Sequence, residues 1–453
     1  MLVPRRVAAD PLHSRPQPTA GSLWLVPLEA LVGALVVMAT SGTLRAQPLE
    51  GFLAPTTTVR LELNGVAGAL DVHGSAVDHA TNTAAGAPLR NALTINQDAR
   101  LTMDTSVTGQ DLFRLRLRAG DFGPSGFFSN PPTPLTRLDV AFQDPLCPGA
   151  TATCGNAVSV NRAFLRLPLG KTVRVTAGSR LMQVDLLPVW PSAYTASPIL
   201  ELFQRAGAAG AYSRRVGSGF GVWWQPEGGL RGWSLAYGHV APARGGWRTA
   251  GGDDTGTAQL AWTRANWNLT AAYTRNGQRA QLRGTPLASQ LAAEGRGGAV
   301  QSWSLAGYWQ PSQPGWTPSI SAGWGRDRFA FSAYPVAGLS GVTTQSWSVG
   351  LSWTDVLRPG TSVLLAVGAP AHVVRLEGLP GTNVDDSGLA FELASAIRLS
   401  DAFTLTPAVF WLTRPRGAMA RATSLSEVLR PGSTEGDGTL GVWGALVRGT
   451  LRF

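Results

Sequence analysis

Apolar and polar residues alternate in the last stretch of the chain, "GTLGVWGALVRGTLRF". Every second position there is apolar or small: Trp443, Ala445, Val447, Gly449, Leu451 and Phe453. The positions between them include Arg448, Thr450 and Arg452. A period of two predicts a β-strand with one apolar and one polar face. Because chain ends are usually polar and frayed, an apolar last strand indicates a closed sheet, and we predict Phe453 as its barrel-closing C-terminal residue.

The same alternation recurs in pairs of segments joined by short turns. These turns are predicted near residues 226–229, 263–266, 311–315, 358–360 and 400–401, where Gly, Pro, Asn and Asp supply the backbone angles. Long, polar, Gly-rich stretches connect one pair to the next, which is typical of a membrane barrel. We therefore predict an all-β fold: a transmembrane antiparallel β-barrel of about 16 strands (16–18), with short periplasmic turns and long extracellular loops. Such a barrel is wide enough for an aqueous channel.

Composition supports a membrane barrel. Charged residues make up 15% of the chain, below the roughly 25% that is usual in soluble domains. Beyond the first 46 residues, no apolar run reaches the ~20 residues that a membrane-spanning helix needs. Many of the 16 Trp lie near predicted strand ends, where aromatic rings suit the membrane–water boundary. A soluble all-β protein is the alternative on these grounds.

The first 46 residues have the pattern of an export signal. Arg5 and Arg6 give a basic start, "ALVGALVVMA" (residues 30–39) is a short apolar core, and Ala46 ends a cleavage-site pattern. We therefore predict a signal peptide at residues 1–46, a short lead-in at residues 47–57 and the barrel at residues 58–453.

Arginines alternate with apolar residues in "DLFRLRLRAG". Arg114, Arg116 and Arg118 share one face of this predicted strand. Because an arginine facing hydrocarbon at mid-bilayer costs about 2–4 kcal/mol, we predict that these three line a wet interior. The segment "RAFLRLPLGKTVRVTAG" repeats the pattern and adds further pore-lining candidates, Arg162, Arg166 and Arg174.

This basic lining, in a chain with a formal net charge of +10, predicts a preference for anions. Two alternatives remain at this point. The basic strand could be an exposed strand of a soluble barrel, or the charge could reflect a general use of Arg spread along the chain.

The segment at residues 180–212 is too long and irregular for one strand. We predict that it is a loop that folds into the lumen and narrows it. Its charged candidates are Arg180, Asp185, Glu201 and Arg205. Trp190 and Tyr194 would wedge the loop against the wall or offer a face on which a sugar could stack. An ordinary outer loop, packed by its own apolar residues, is the alternative.

Cys147 and Cys154 are spaced for a small loop disulfide in an oxidising compartment. They are too few for a structural zinc site, which takes four ligands, and we expect no metal and no cofactor. The basic residues form no block of the kind that follows nucleic acid, so we expect no nucleic-acid partner.

An outer-membrane barrel enzyme of the lipase or protease type is an alternative function, and a structural or adhesive barrel is another. An enzyme of this type needs a nucleophile with a base in reach. The histidines beyond the predicted signal are His73, His79, His239 and His372. They fall at loop-like or rim positions outside any recognisable nucleophile motif, so we expect no enzyme. Two acid pairs, at residues 253–254 and 385–386, are predicted in outer loops where they could recruit a cation.

Several segments resemble the cyanobacterial outer-membrane porins of the carbohydrate-selective (OprB-like) family, also described as iron-uptake porins. They are "LTRLDVAFQ", "RLPLG", "LLPVWPSAY", "YWQPSQPGWTPSISAGWG", "TQSWSVGLSWTDV" and "LTPAVFWLTRP". The likeness extends over nearly all of residues 90–453. It implies an outer-membrane porin that passes small hydrophilic solutes, namely carbohydrates or inorganic ions including iron.

The resemblance also implies partners. They are the outer-membrane lipid, two further copies in a homotrimer, and the barrel-assembly machinery acting through the C-terminal strand. Members of this family usually carry an S-layer-homology domain between signal and barrel. Here the strand-like "TTTVRLELNG" follows the predicted cleavage site closely, so we expect that this domain is lacking.

Overall fold

The computed structural model describes residues 56–74, 77–78, 83–84, 93–128, 133–143, 155–194, 198–241, 254–277, 282–294, 299–331, 338–356, 358–379, 384–420, 425–429 and 440–453. Eighteen strands are present in these ranges. The first nine are β1 (Thr56–Gly74), β2 (Val77–Asp78), β3 (Thr83–Ala84), β4 (Leu93–Ser106), β5 (Leu112–Gly120), β6 (Ser159–Leu169), β7 (Val173–Met182), β8 (Val216–Trp224) and β9 (Trp233–Ala241). The others are β10 (Thr255–Arg264), β11 (Trp267–Asn276), β12 (Val300–Trp309), β13 (Ser319–Ala330), β14 (Gly341–Thr354), β15 (Thr361–Glu377), β16 (Ala390–Arg398), β17 (Phe403–Leu412) and β18 (Leu440–Arg452).

Sixteen of these strands form one closed antiparallel barrel in which each strand pairs with its neighbours in sequence. The short strands β2 and β3 form a separate ribbon within the connection from β1 to β4. The predicted barrel is therefore confirmed, at the lower end of the predicted range of strands. Strand β18 pairs with β1 and closes the sheet. Phe453 exchanges two backbone hydrogen bonds with Leu61, of 2.9 and 3.0 Å, and so extends this seam by one residue.

The connections differ in length at the two rims. Strands β10 and β11 are joined by the two residues 265–266, and β16 and β17 by residues 399–402. We call the end with these connections the short-turn rim. At the opposite end, the long-loop rim, residues 121–158 join β5 to β6 and residues 183–215 join β7 to β8. The predicted turns all coincide with short-turn connections.

The barrel wall has an apolar outside and a polar inside. On β11, Trp267, Leu269 and Tyr273 are exposed at 52%, 55% and 38%. Asn268, Thr270 and Thr274, which alternate with these residues along the strand, are buried inside. The alternation found in the sequence is therefore the alternation between the two faces of a closed sheet.

Part of the interior is filled by the long connections. An apolar cluster inside the long-loop half joins wall residues of β1 and β18 to residues of the two longest connections. Its members include Val66, Leu70, Phe122, Phe127, Leu138, Tyr194, Leu200, Phe410 and Leu446. Two helices also lie in long connections, α1 (Pro286–Glu294) and α2 (Leu425–Val428). Among the residues described, no helix has the length and apolar character to span a bilayer.

Candidate functional site

The arginines of β5 lie on the inner face of the barrel. Phe113, on the other face of the strand, is 45% exposed. Arg114, Arg116 and Arg118 are each partly exposed and pair across to β4. Their register partners there are Asp104, Thr102 and Arg100. A continuous charged strip therefore follows β4 and β5 on the inside.

Two carboxylates on β4 neutralise much of this strip. Asp104 accepts two hydrogen bonds from Arg114, from Nε at 2.7 Å and from Nη2 at 2.8 Å. Asp98 lies 2.5 Å from Nε of Arg118 and 2.7 Å from Nε of Arg100. Sequence reasoning missed both carboxylates. The signal was present in "LTINQDARLTMDTS", where Asn, Asp, Arg, Thr and Asp occupy every second position of β4.

Arg116 and Arg166, two of the predicted pore-lining arginines, contact a neighbouring strand through neutral partners. Nε of Arg116 donates to Oγ1 of Thr102 at 2.9 Å. Nε of Arg166 donates to Oγ1 of Thr176 at 3.2 Å and its Nη2 to the backbone oxygen of Asp185 at 2.7 Å. The guanidinium of Arg166 also lies 4.6 Å from the centre of the Trp223 ring. In the described part of the chain, no carboxylate forms an ion pair with either of these arginines, so their charge remains available to the lumen.

The remaining two candidates have other environments. Arg162 is buried and forms a 2.6 Å ion pair with Asp185, so it ties β6 to the start of the next long connection. Arg174 lies beside the β6–β7 turn and donates to backbone oxygens of Lys171 and Val173.

The predicted constriction loop begins later than expected. Arg180 belongs to β7, which continues to Met182, and the connection runs from Gln183 to Arg215. The pairing of β7 with β8 shifts register between Gly178 and Leu181. This irregularity interrupts the period of two, which is why the end of the strand resembled a loop in the sequence.

The connection from Gln183 to Arg215 lies against the inner face of β10, β11 and β14. Its contacts there are hydrogen bonds to neutral wall residues: Gln183 to Thr257 at 2.6 Å, Thr274 to the oxygen of Ala211 at 2.8 Å, Asn276 to the oxygen of Gly210 at 3.1 Å and Ser346 to the oxygen of Gly207 at 2.9 Å. We call residues 183–194 and 198–215 the inner loop. It occupies part of the lumen opposite the charged strip.

A second attachment of the inner loop is at Glu392 on β16. This buried carboxylate accepts hydrogen bonds from the Tyr194 hydroxyl at 3.0 Å and from the backbone N–H groups of Ile199 at 2.9 Å and Leu200 at 2.6 Å. The Tyr194 ring is 2% exposed, so it wedges the loop against the wall and offers no face to a sugar. Trp190 packs edge-on to Tyr212, with 5.0 Å between ring centres.

Glu201 is the centre of a cluster inside the inner loop. It lies 2.6 Å from Arg205 and 2.9 Å from Arg137, with Arg283 at 4.0 Å. Burial alone would raise the pKa of Glu201, but the charges of Arg205, Arg137 and Arg283 outweigh burial and lower the pKa well below its usual range. Arg205 is itself buried and donates to two backbone oxygens of the loop. These charges therefore hold the loop together instead of facing the solute path.

Asp385 and Asp386, the acid pair predicted in an outer loop, contact neighbouring loop segments. Asp386 is buried and accepts hydrogen bonds from Thr285 at 2.6 Å and from the N–H groups of Val373 at 2.9 Å and Ala418 at 3.1 Å. Burial raises the pKa of Asp386 to about 6. Asp385 is exposed and pairs with Arg414 at 2.5 Å.

The other candidates from the sequence lie apart from the charged strip or outside the described residues. Cys147, Cys154, His79 and Asp253 belong to the latter group. His239 lies 3.3 Å from Asp254 near the long-loop rim, His73 is exposed on the outer face of β1, and His372 contacts the oxygen of Pro370. Within the described ranges, no three His, Cys, Asp or Glu side chains come together as metal ligands would.

Comparison with known proteins agrees with this architecture. Residues 35–431 match the protein family described as "Carbohydrate-selective porin, OprB family". An uncharacterized protein of Synechocystis sp. is 27% identical over 354 residues, which cover 72% of this chain and 60% of that protein. The chain thus spans less than two thirds of the length of this relative.

Two solved structures show a similar fold. The anion-selective porin from Comamonas acidovorans has a TM-score of 0.51 at 12% identity, over 88% of this chain and 100% of that one. Pseudomonas putida OprB has a TM-score of 0.52 at 10% identity, over 88% of this chain and 94% of that one. At these identities the likeness concerns the fold, which is that of an outer-membrane β-barrel.

Proposed function

The chain belongs to the OprB family of carbohydrate-selective porins, and from this membership and its charged inner wall we propose that it forms a water-filled channel with a preference for anions. Its place is the outer membrane, and its family and fold indicate a channel rather than an enzyme. Small hydrophilic solutes would cross it by passive diffusion, selected by bore and charge.

The observation that carries this proposal is the strip of charged side chains on the inner face of β4–β6. Arg114 and Arg118 lie on the inside with their carboxylate partners, and Leu165 and Leu167 face outward at 40% and 43% exposure. A buried strip of this size would be costly without water or counter-charges beside it. Partly exposed arginines inside a closed sheet are therefore best explained by a wet lumen.

The preference for anions is supported by Arg116 and Arg166. Both have neutral partners in the described structure, whereas Arg114, Arg118 and Arg162 have carboxylates within 2.5–2.8 Å. A positive charge without a counter-charge raises the local concentration of anions in a narrow pore. The inner loop would set the narrowest part of the path from the opposite wall.

The solutes proposed for this channel are carbohydrates and small inorganic ions, including iron in complexed form. A homotrimer, assembly by the barrel-assembly machinery through β18, the Cys147–Cys154 disulfide and the signal peptide at residues 1–46 belong to the same proposal. Swelling of proteoliposomes in sugars and salts of graded size would define the solute range.

Ion selectivity tests the proposal directly. In planar bilayers under a salt gradient, the protein should give stepwise conductance with a reversal potential on the anion side. The double variant Arg116→Gln with Arg166→Gln should move that potential toward zero, because two lumen charges without carboxylate partners are gone.

The matched control removes the same charge from the outer face, with Arg275→Gln and Arg326→Gln, and should leave the reversal potential unchanged. Unchanged selectivity in the lumen variant would refute the role of these two arginines. Absence of any conductance from folded protein would refute the channel itself.

A further inference from the structure

The outer face of the barrel carries a row of arginines at the long-loop rim of β11–β15. Arg275, Gln301, Arg328, Thr343 and Arg375 are successive register partners across these five strands. Register partners share one face of a sheet, and Arg275 shares its face with the exposed Tyr273. The row therefore faces outward. Neighbouring strands are about 4.8 Å apart, so Arg328 lies roughly 10 Å from Arg275 on one side and roughly 10 Å from Arg375 on the other.

A fourth arginine extends this patch toward the membrane. Arg326 is exposed, shares the face of Arg328 and is the register partner of Trp303. Glu377 is an outward carboxylate at the patch and lies 3.4 Å from Arg328. The side chain of Arg328 remains 59% exposed despite this contact. We call Arg275, Arg326, Arg328 and Arg375 the outer basic patch. It has more positive than negative charge at the level where a strand leaves the membrane.

Other strands end differently at the same rim. On β16–β18 the outward positions near the long-loop ends are Phe391, Trp411 and Trp443, whose rings stack with centres 5.3 and 5.2 Å apart. Such aromatic rings are the usual solution at the membrane–water boundary. On β11 and β12 the exposed Tyr273 and Trp303 lie one outward position below the row, and the row beyond them carries arginines where β16–β18 carry aromatic rings.

An apolar groove of about 710 Å³ begins beside Arg326 on the same wall and extends toward the short-turn rim, where Trp233 lines it. Its sides include Trp233, Leu260, Leu305, Trp324 and Trp347, and Ala271 and Ala322 leave room between them. Trp324 is two residues from Arg326 on the same face of β13, and it is the register partner of Leu305. The groove and the patch are thus continuous along the strand direction.

We propose that this sector binds a phosphate-bearing acylated lipid of the outer leaflet, with its anionic head on the outer basic patch and an acyl chain in the groove. Guanidinium groups bind phosphate oxygens through two parallel hydrogen bonds, which favours Arg over Lys at such a site. The positive charges lie nearer the long-loop rim and the apolar groove nearer the middle of the barrel. A lipid of the outer leaflet has the same arrangement of head group and acyl chain. This site is independent of the solute path, since the residues of the patch and the wall residues of the groove face away from the lumen.

The test uses the whole protein, purified in a non-ionic detergent and mixed with diphosphorylated lipid A. The protein should retain the lipid in native mass spectrometry. Attraction to an anionic lipid surface is worth roughly fivefold in binding per basic residue, so Arg→Gln at all four patch positions should weaken retention by up to about 600-fold. The matched control removes four exposed arginines from the short-turn rim: Arg231, Arg264, Arg358 and Arg398. It should bind as the unaltered protein does.

Two further experiments test the anionic head of the lipid and its acyl chain separately. Dephosphorylated lipid A should bind the unaltered protein about as weakly as lipid A binds the patch variant. Ala322→Trp, which fills the groove, should weaken retention of lipid A while the arginines remain, and inorganic phosphate alone should not compete at equimolar concentration.

Equal retention of lipid A by the patch variant and the rim control would overturn the proposal. So would full competition by inorganic phosphate, which would indicate a simple anion site. Loss of a trimer in the patch variant, with lipid retention unchanged, would instead assign this face to a second copy of the chain.

Discussion

The two sides of the barrel interior differ in the charge of their side chains and in how far those side chains are buried. On β4–β6 the inner face carries arginines and carboxylates, and the side chains of Arg114 and Arg118 keep 23% and 13% exposure. On β10–β12 the inner face carries neutral Thr, Ser, Asn and Gln residues that are almost fully buried under the inner loop. Neutral hydroxyl and amide groups can be covered once their hydrogen bonds are satisfied, whereas ions lose their hydration at a higher cost. On β10–β12 the inner loop therefore covers a neutral wall, whereas Arg114, Arg116 and Arg166 on the opposite side keep partial exposure to the lumen.

The largest effect is expected from detaching the loop. Glu392→Ala removes the acceptor of three buried donors, and each buried donor left without a partner costs about 1–3 kcal/mol. We expect a lower melting temperature and a larger, noisier single-channel conductance, because the inner loop loses its attachment to β16.

The control for this variant is Glu227→Ala, which removes an exposed carboxylate at the short-turn rim and should change neither quantity. A Glu392→Ala protein with normal conductance and normal melting would show that the neutral contacts on β10–β14 hold the loop alone.

The next effect concerns a carboxylate with neutral partners at the long-loop rim. Asp386 has a pKa raised to about 6 by burial, so its protonated form stabilises the folded loops. That stability is fully present below about pH 4 and is lost as pH rises through about 6. A shift of about 2 pKa units corresponds to roughly 3 kcal/mol at most.

Thermal unfolding between pH 4 and pH 7 measures this effect, with limited proteolysis of the outer loops as a local probe. Asp386→Asn should flatten the pH dependence over this window. Asp385→Asn is the neighbouring control, since Asp385 is exposed. If the two variants show the same pH profile, Asp386 does not control the packing of these loops.

A smaller effect is expected from the charged wall. Asp104→Asn leaves Arg114 without its carboxylate and adds one positive charge to the lumen. At lumen distances in a wet pore the change is on the order of 1 kcal/mol, so the reversal potential should shift further to the anion side. Asp71→Asn removes an equal charge from the outer face of β1 and should have no effect on selectivity. An identical shift of the reversal potential in both variants would indicate that the net charge of the whole protein sets the selectivity, and not the charge of Arg114 in the lumen.

Sequence periodicity predicted the faces of the wall well. Arg448 and Thr450 were assigned to the polar face of the last strand, and Thr450 indeed donates to Asn64 inside the barrel at 2.8 Å. Periodicity works here because a period of two is a local property of each strand, and lipid enforces it on the outer face.

The pairing of charges could not be predicted in the same way. Arg118 and Asp98 are 20 positions apart and meet only through the register of β4 with β5. Arg205 and Glu201 were predicted to face the solute, but both serve the packing of the inner loop. Burial of a loop depends on which wall it covers, and the sequence contains no local signal for that choice.

The water-filled bore is tested most directly by comparing two neighbouring residues of β5. In a protein with Cys147 and Cys154 replaced by Ser, single cysteines at positions 116 and 117 should differ in their reaction with a water-soluble, membrane-impermeant thiol reagent. We predict fast reaction and a reduced conductance for Arg116→Cys, and protection by lipid for Leu117→Cys. Equal reaction at both positions, or fast reaction at 117 with protection at 116, would contradict a water-filled bore lined by this strand.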